Sequence, residues 1–317
     1  MANRVPSSKQ LGLTLIELMI AITIGLMVSL AVASLYLSNQ QTNKAQAGHA
    51  QMQDNGRFAM AQIGRLVRQA GFYDILGGTF SASGTWTVSM DASGNWAIPS
   101  LQASQVLSAS NDVTVTSFNA SNALSVLNGV KSDQFSITFM TGPQASTGNA
   151  TPDCLGNSVT SKNTIVTNRF YIDVNTISGV TRPSLMCDVL WNGVAPSGSN
   201  LATGVVADNI ERIQILLGVD STGDGVADQF SPPSASIDMT QVVAMRVALL
   251  ARTDPVYGQL RAEPAAFNIF GSNYVVGTDT GSVVNPLASS TVACVAATPC
   301  WSRRVFESTF TLRNRIP

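Results

Sequence analysis

The 25 residues from Leu13 to Leu37 carry a single charge, Glu17. As a helix, a run of that length crosses about 30 Å of hydrocarbon. A short polar leader, Met1–Gln10, precedes it and carries Arg4 and Lys9. Two cations on the leader hold that side of a membrane segment in the cytoplasm. Whatever follows must therefore be held by this segment or be released from it.

Three readings compete for the segment. An ordinary secretory signal would be cut after Ala31-Val32-Ala33, which fits an A-x-A site. A plain membrane anchor would be kept whole. A third kind of signal is cut between Gly12 and Leu13, so that the apolar segment survives. Glu17 separates them. A carboxylate in a bilayer core costs roughly 2.5–3.5 kcal/mol on insertion scales, and neither a disposable signal nor a simple anchor gains from it. A subunit cut at Gly12 does gain. The new amine of Leu13 is a cation that a neighbour's Glu17 can pair with in a low-dielectric core. Gly12 also suits a protease that requires a small residue before the cut.

Gly12-Leu13-Thr14-Leu15-Ile16-Glu17 resembles the class III signal of type IV pilins and type II secretion pseudopilins. In that family a prepilin peptidase cuts after the glycine and methylates the new N-terminus. The residue after the glycine is usually Phe; Leu13 is a conservative departure. The resemblance extends further. Asn55-Gly56-Arg57-Phe58-Ala59-Met60 and Arg68-Gln69-Ala70-Gly71-Phe72 are similar to the stalk helix of the PilW family of minor pilins. The segment Gly218–Gly225, the strand Val243-Ala244-Met245-Arg246-Val247 and the ending Arg304-Val305-Phe306 to Arg313-Asn314 follow in that family's order. Residues from about 73 to 200 carry little resemblance.

The chain has 317 residues, enough for one large or two small domains with a sizeable core. No proline occurs between Pro6 and Pro99, so nothing forces a helix break there. Past the apolar run, Met52, Gly56, Ala59, Ile63, Leu66 and Ala70 recur at spacings of three and four, one face of an amphipathic helix. Gly71 is a plausible cap. Leu13 to Ala70 then reads as one helix of about 58 residues, roughly 87 Å long, with a break near Gly48 as the alternative. Beyond Gly71 the texture turns to strands. Val113–Thr116, Phe135–Phe139, Phe170–Val174, Leu185–Leu190, Ile210–Val219, Val242–Arg252 and Arg304–Leu312 are the candidates. Val242–Arg252 is ambiguous between strand and helix. Segments 141–163, 191–204, 220–237 and 253–300 read as turn-rich connections. No fixed-period repeat is present.

The expected architecture is α+β and, by the resemblance, pilin-like. It has a leader peptide at 1–12, a stalk helix at 13–71 with 13–37 in the membrane or filament core, and a β-rich domain at 72–317 whose sheet covers the helix's second half.

Downstream, Asp220-Ser221-Thr222-Gly223-Asp224-Gly225-Val226-Ala227-Asp228 reads as a calcium loop. Asp220, Thr222 and Asp224 take positions 1, 3 and 5, Gly225 turns at 6, Val226 offers a carbonyl at 7 and Asp228 stands at 9. Ser231 occupies position 12, where a bidentate Glu belongs, and position 3 lacks a carboxylate. The competing reading is a hairpin loop whose carboxylates cap turns. The four cysteines, Cys154, Cys187, Cys294 and Cys300, show no CxxC spacing. The lone His49 is far from them, which disfavours zinc. In an exported chain two disulfides are expected. Cys294 and Cys300, which enclose five residues, are easily bridged, which leaves Cys154 with Cys187, although three connectivities remain open.

The chain carries 18 Lys plus Arg against 19 Asp plus Glu, a net charge of -1. No basic block marks a nucleic-acid surface. No P-loop, G-x-S-x-G, HExxH or dinucleotide fingerprint appears, so an enzyme is not expected. The resemblance implies a subunit that is inserted in the inner membrane with its N-terminus cytoplasmic, then built into a pilus tip. Its implied partners are prepilin peptidase, other minor pilins, the major pilin and a tip adhesin. The alternatives are a J-type pseudopilin of type II secretion, or a membrane-anchored, calcium-dependent binding protein.

Overall fold

A computed structural model describes residues 14–72, 79–80, 86–87, 106–113, 132–142, 150–161, 164–177, 180–198, 200–254, 267–272, 274, 279, 282–284 and 301–313. The chain divides into two compact units, Met1–His49 and Ala50–Pro317. Helix α1 (Leu15–Gln69) contributes to both and runs without a break at Gly48.

In the first unit α1 begins at a capping box. Thr14 Oγ1 accepts from the Glu17 amide at 3.3 Å, and Glu17 Oε2 accepts from the Thr14 amide at 3.0 Å and its hydroxyl at 2.9 Å. Two otherwise orphaned groups at the helix start are thereby satisfied. Along the apolar run, Thr23, Ser29 and Ser34 donate their hydroxyls to helix carbonyls three or four residues back, which removes the cost of carrying them in an apolar medium.

In the second unit α1 buries Met52, Gly56, Ala59, Ile63 and Leu66 of the expected stripe, with Gly64 and Val67 beside them, and Ala70 is buried just past its end. Gly71 ends the helix at φ 71°, and its amide donates to Thr138 O at 3.0 Å. Only a residue without a Cβ takes that left-handed geometry freely.

The strands are β1 (Thr79–Phe80) and β2 (Trp86–Thr87), then β3 (Leu107–Val113), β4 (Ser132–Met140), β5 (Thr151–Pro152) and β6 (Ser158–Val159). Then come β7 (Ile165–Ile177), β8 (Val180–Trp191), β9 (Thr203–Asp208), β10 (Ile210–Val219) and β11 (Gln229–Ser231). After β12 (Val242–Arg252), β13 (Phe267–Asn268) and β14 (Val283–Val284), the chain closes with β15 (Arg303–Thr311). Two sheets carry the unit, one in the order β3-β4-β7-β8-β9 and one in the order β11-β10-β12-β15. Their strands pair antiparallel throughout. One core joins the helix stripe to both sheets through residues such as Phe135, Phe170, Leu185, Ile213, Met245 and Leu249. The β10–β12 sheet is buried on its other face as well, where Leu216, Ala248 and Leu250 pack on Ile269 and Phe270. A strand covered on both sides reads as a nearly continuous apolar run, which is why Val242–Arg252 looked ambiguous.

The connection segments hold short strands that were not expected: β5 and β6 in 141–163, β11 in 220–237, β13 and β14 in 253–300. The candidate at Val113–Thr116 reaches only Val113 within the described residues, and the strand there starts six residues earlier, at Leu107.

The helix meets the second sheet through glycine. A Cβ on Gly56 would lie 2.4 Å from the Phe306 ring, and one on Gly64 2.4 Å from the Phe310 ring. Eight helical residues rise about 12 Å and four strand residues about 13 Å, so two glycines and two phenylalanines stay in step. Glycine costs a helix interior about 1 kcal/mol relative to alanine, and room for the rings offsets that. Gly64→Leu is expected to lower stability by about 1–3 kcal/mol through overpacking. Thermal unfolding of the full chain in detergent checks this, and the loss should shrink in a Phe310→Ala background.

Candidate functional site: the N-terminal segment and two acidic clusters

Among the expected site residues, Gly12 and Leu13 lie outside the described residues. Glu17 is described, in the third position of α1, bonded to Thr14. That capping role was legible as Thr-x-x-Glu in the sequence and was not read there. The large apolar side chains from Leu15 to Leu37 are 52% to 78% exposed. This face of α1 is apolar all round and long enough to cross a membrane. Such surface is stable only in lipid or against other apolar helices.

The Asp220 loop brings its residues together as a set of turn caps. Asp220 Oδ1 accepts from the amides of Gly223 at 2.6 Å and Thr222 at 3.1 Å, and its Oδ2 from Gly225 at 2.7 Å. Asp228 Oδ2 accepts from the Ser221 hydroxyl at 2.6 Å and amide at 2.8 Å. Asp224 Oδ1 accepts from the Val226 amide at 2.9 Å. Gly223 and Gly225 take φ of 79° and 84°. Burial pushes the Asp220 carboxyl up, but the amides of Gly225, Gly223 and Asp224 outweigh it and hold it below the usual range. The Ser221 hydroxyl, then the Ser221 amide, do the same for Asp228. A calcium role for Thr222, Asp224 and Val226 rests on the sequence pattern alone.

The loop's pH response follows from those directions. Both folded pKa values lie below the unfolded one. The stabilisation is therefore complete above about pH 4 and is lost as pH falls through the folded values. The amide resonances of Gly223 and Gly225 should titrate with a midpoint below about 3.9; a midpoint at or above it contradicts the hydrogen-bonding described.

Cys154 and Cys187 are joined, while Cys294 and Cys300 lie outside the described residues. Asp153 shapes the turn that presents Cys154, accepting from the amides of Leu155 and Asn157. Arg65 of α1 donates to the carbonyls of Pro152 and Asp153, both at 2.9 Å. The disulfide thus ties to β8 a turn that the helix also grips.

A cluster that no sequence reading anticipated is Asp112, Asp133 and Asp279. One carboxylate oxygen of each lies within 4.8 Å of the others. Among the described residues no other group of three metal-ligating side chains of this kind occurs. Burial, then the neighbouring Asp279 and Asp112 charges, push the Asp133 carboxyl well above its ordinary range.

Residues 7–33 match the prokaryotic N-terminal methylation motif, and residues 169–314 match the family described as type IV pilus-assembly protein W. A type IV-like pilin from Thermus thermophilus aligns with 58% of this chain and 79% of its own length, at 12% identity and a TM-score of 0.33. No curated protein matches the chain. A methylation motif on an exposed apolar helix, followed by a β-rich domain, makes the chain a membrane-anchored, type IV pilin-like protein. Residues 169–314, somewhat under half of the chain, are similar to the PilW family, and together with the methylation motif they indicate a type IV pilin-like minor pilin, in an assembly context that implies pilin and pilus-machinery partners.

Proposed function

We propose that the chain is a structural subunit, without catalytic function, that enters the tip of a type IV pilus and helps initiate its assembly. Prepilin peptidase cuts after Gly12 and methylates the amine of Leu13. The precursor sits in the inner membrane with residues 1–12 in the cytoplasm, residues 13–37 spanning it as part of the 13–71 stalk, and the domain at 72–317 outside. On assembly, Glu17 of one subunit pairs with the Leu13 amine of a neighbour, and other minor pilins, the major pilin and a tip adhesin surround it.

The observation that carries this reading is the exposed apolar half of α1 with one carboxylate at its start. The match over residues 169–314 favours a pilus over a type II secretion machine. Deleting the gene and counting surface pili tests the priming role. Pilus number is expected to fall at least tenfold; normal numbers would remove that role.

A further inference from the structure

Among the described residues the two large sheets end in four edge strands, β3 and β9 in one and β11 and β15 in the other. An edge strand offers a row of unpaired backbone groups, and proteins blunt such rows with short strands, bulges or covering loops. Three of these edges are blunted. β3 steps in register between Ser110 and Val113. β11 has three residues. β9 pairs across a step between Leu185 and Met186, and Asn157 of the β5–β6 turn takes the backbone just ahead of it. The Asn157 side chain donates to Leu201 O at 2.8 Å and accepts from the Leu201 amide at 3.0 Å.

β15 has none of these devices. Its nine residues contain no proline. They pair with β12 from Arg303 opposite Arg252 to Thr311 opposite Ala244 without a step. The bonds at its two ends fix which groups it leaves open. The Leu312 amide donates to Val243 O and the Thr253 amide to Ser302 O, both at 2.9 Å. Antiparallel partners alternate between bonded and non-bonded pairs, so the even-numbered residues from Ser302 to Leu312 face β12. Val305, Glu307, Thr309 and Thr311 turn their N–H and C=O groups outward, and no other described residue bonds these groups. Such groups recur at every second residue, about 6.6–6.8 Å, which is the repeat of another strand.

The charged residues do not close this edge. Glu307 is paired with Arg246 of β12, and Arg303 with Glu211 of β10. Arg304 is exposed and stacks on the Phe306 ring, which leaves a cation at the start of the open row. β15 is also the strand that lies along α1, where Phe306 and Phe310 fill the room over Gly56 and Gly64. α1 is the element that the proposed function places among neighbouring subunits, so a subunit packed beside α1 comes to this edge.

We propose that β15 is the docking edge for an extended strand of a different pilus subunit. The strand adds to the β11-β10-β12-β15 sheet through main-chain hydrogen bonds and sets an acidic residue against Arg304. This rests on the reading of the chain as a pilus subunit.

Proline substitution tests it. Thr309→Pro removes one outward donor, and an edge strand tolerates proline where the missing N–H faces outward. In thermal unfolding of the full chain in detergent, the variant should melt within about 4 °C of the wild type. Its amount in sheared pili relative to membrane should fall about tenfold, the loss of one hydrogen bond at a docking site. Thr203→Pro makes the same change on β9, next to Ala202, whose carbonyl accepts from the Val189 amide; Thr203 therefore faces outward. That variant should enter pili like the wild type. Thr311→Pro, at the end of β15, serves if Thr309→Pro does not fold. The proposal is overturned if a folded Thr309→Pro or Thr311→Pro variant enters pili normally, or if Thr203→Pro is depleted as strongly. A wild-type dimer in detergent that Thr309→Pro dissolves would make a second copy the occupant and overturn the assignment to a different subunit. A wild type missing from sheared pili would remove the pilus reading itself, and this one with it.

Discussion

Glu17→Gln should leave α1 intact and stop the subunit from entering the pilus. Glutamine can replace glutamate in a capping box, so the bonds to Thr14 have a substitute. What glutamine lacks is the charge. In the proposed filament core the Leu13 amine then has no counter-ion. Breaking one partner of a buried pair costs about 3–5 kcal/mol, so incorporation should fall roughly a hundredfold or more. The measurement is the amount of the protein in sheared pili relative to membrane, for the wild type, Glu17→Gln and Glu17→Ala. Both variants should accumulate in the membrane and be missing from pili. If Glu17→Gln enters pili as well as the wild type while Glu17→Ala does not, the carboxylate serves the helix start and the pairing account fails.

Removing the Cys154–Cys187 disulfide should have the largest effect on the outer domain. The bond spans 33 residues of sequence, a loop whose closure is worth roughly 3–4 kcal/mol in the chain-entropy model. For a domain of this size each kcal/mol moves the melting temperature by about 2–4 °C, so the double variant Cys154→Ala/Cys187→Ala should melt about 10 °C lower. Both cysteines are buried, and alanine keeps the core apolar. The effect should spread, because Arg65 holds the carbonyls of Pro152 and Asp153 on the same turn. Equal melting of the variant and the wild type would show that this link carries no weight.

How much of this was readable depends on the range of the signal. α1 was legible from both of its textures, the uncharged run and then the stripe ending at Gly71. β10, β12 and β15 were legible because each is a long run with at least one apolar face. β9 was not: Thr203–Asp208 lies at the edge of its sheet and buries only Ala207, and its six residues, with Val205, Val206 and Ala207 in a row, show no alternation of apolar and polar positions. β5, β6, β13 and β14 are two residues each, too short to show a period. The pairing of Gly56 and Gly64 with Phe306 and Phe310 left a trace in matching spacings, but the partners are some 250 residues apart in sequence. The acidic cluster left none. Asp112, Asp133 and Asp279 come from β3, β4 and a distant segment, and only the packing of two sheets makes them neighbours. The Asp220 loop shows the reverse. A dense local motif was easy to see, and its carboxylates are engaged with the loop's own amides.

The N-terminus of the mature protein tests the central claim most directly. Intact mass and N-terminal sequencing of the protein purified from membranes should give a chain beginning at N-methylated Leu13. A chain beginning at Ser34, or one retaining residues 1–12 in cells with an active prepilin peptidase, would contradict the account.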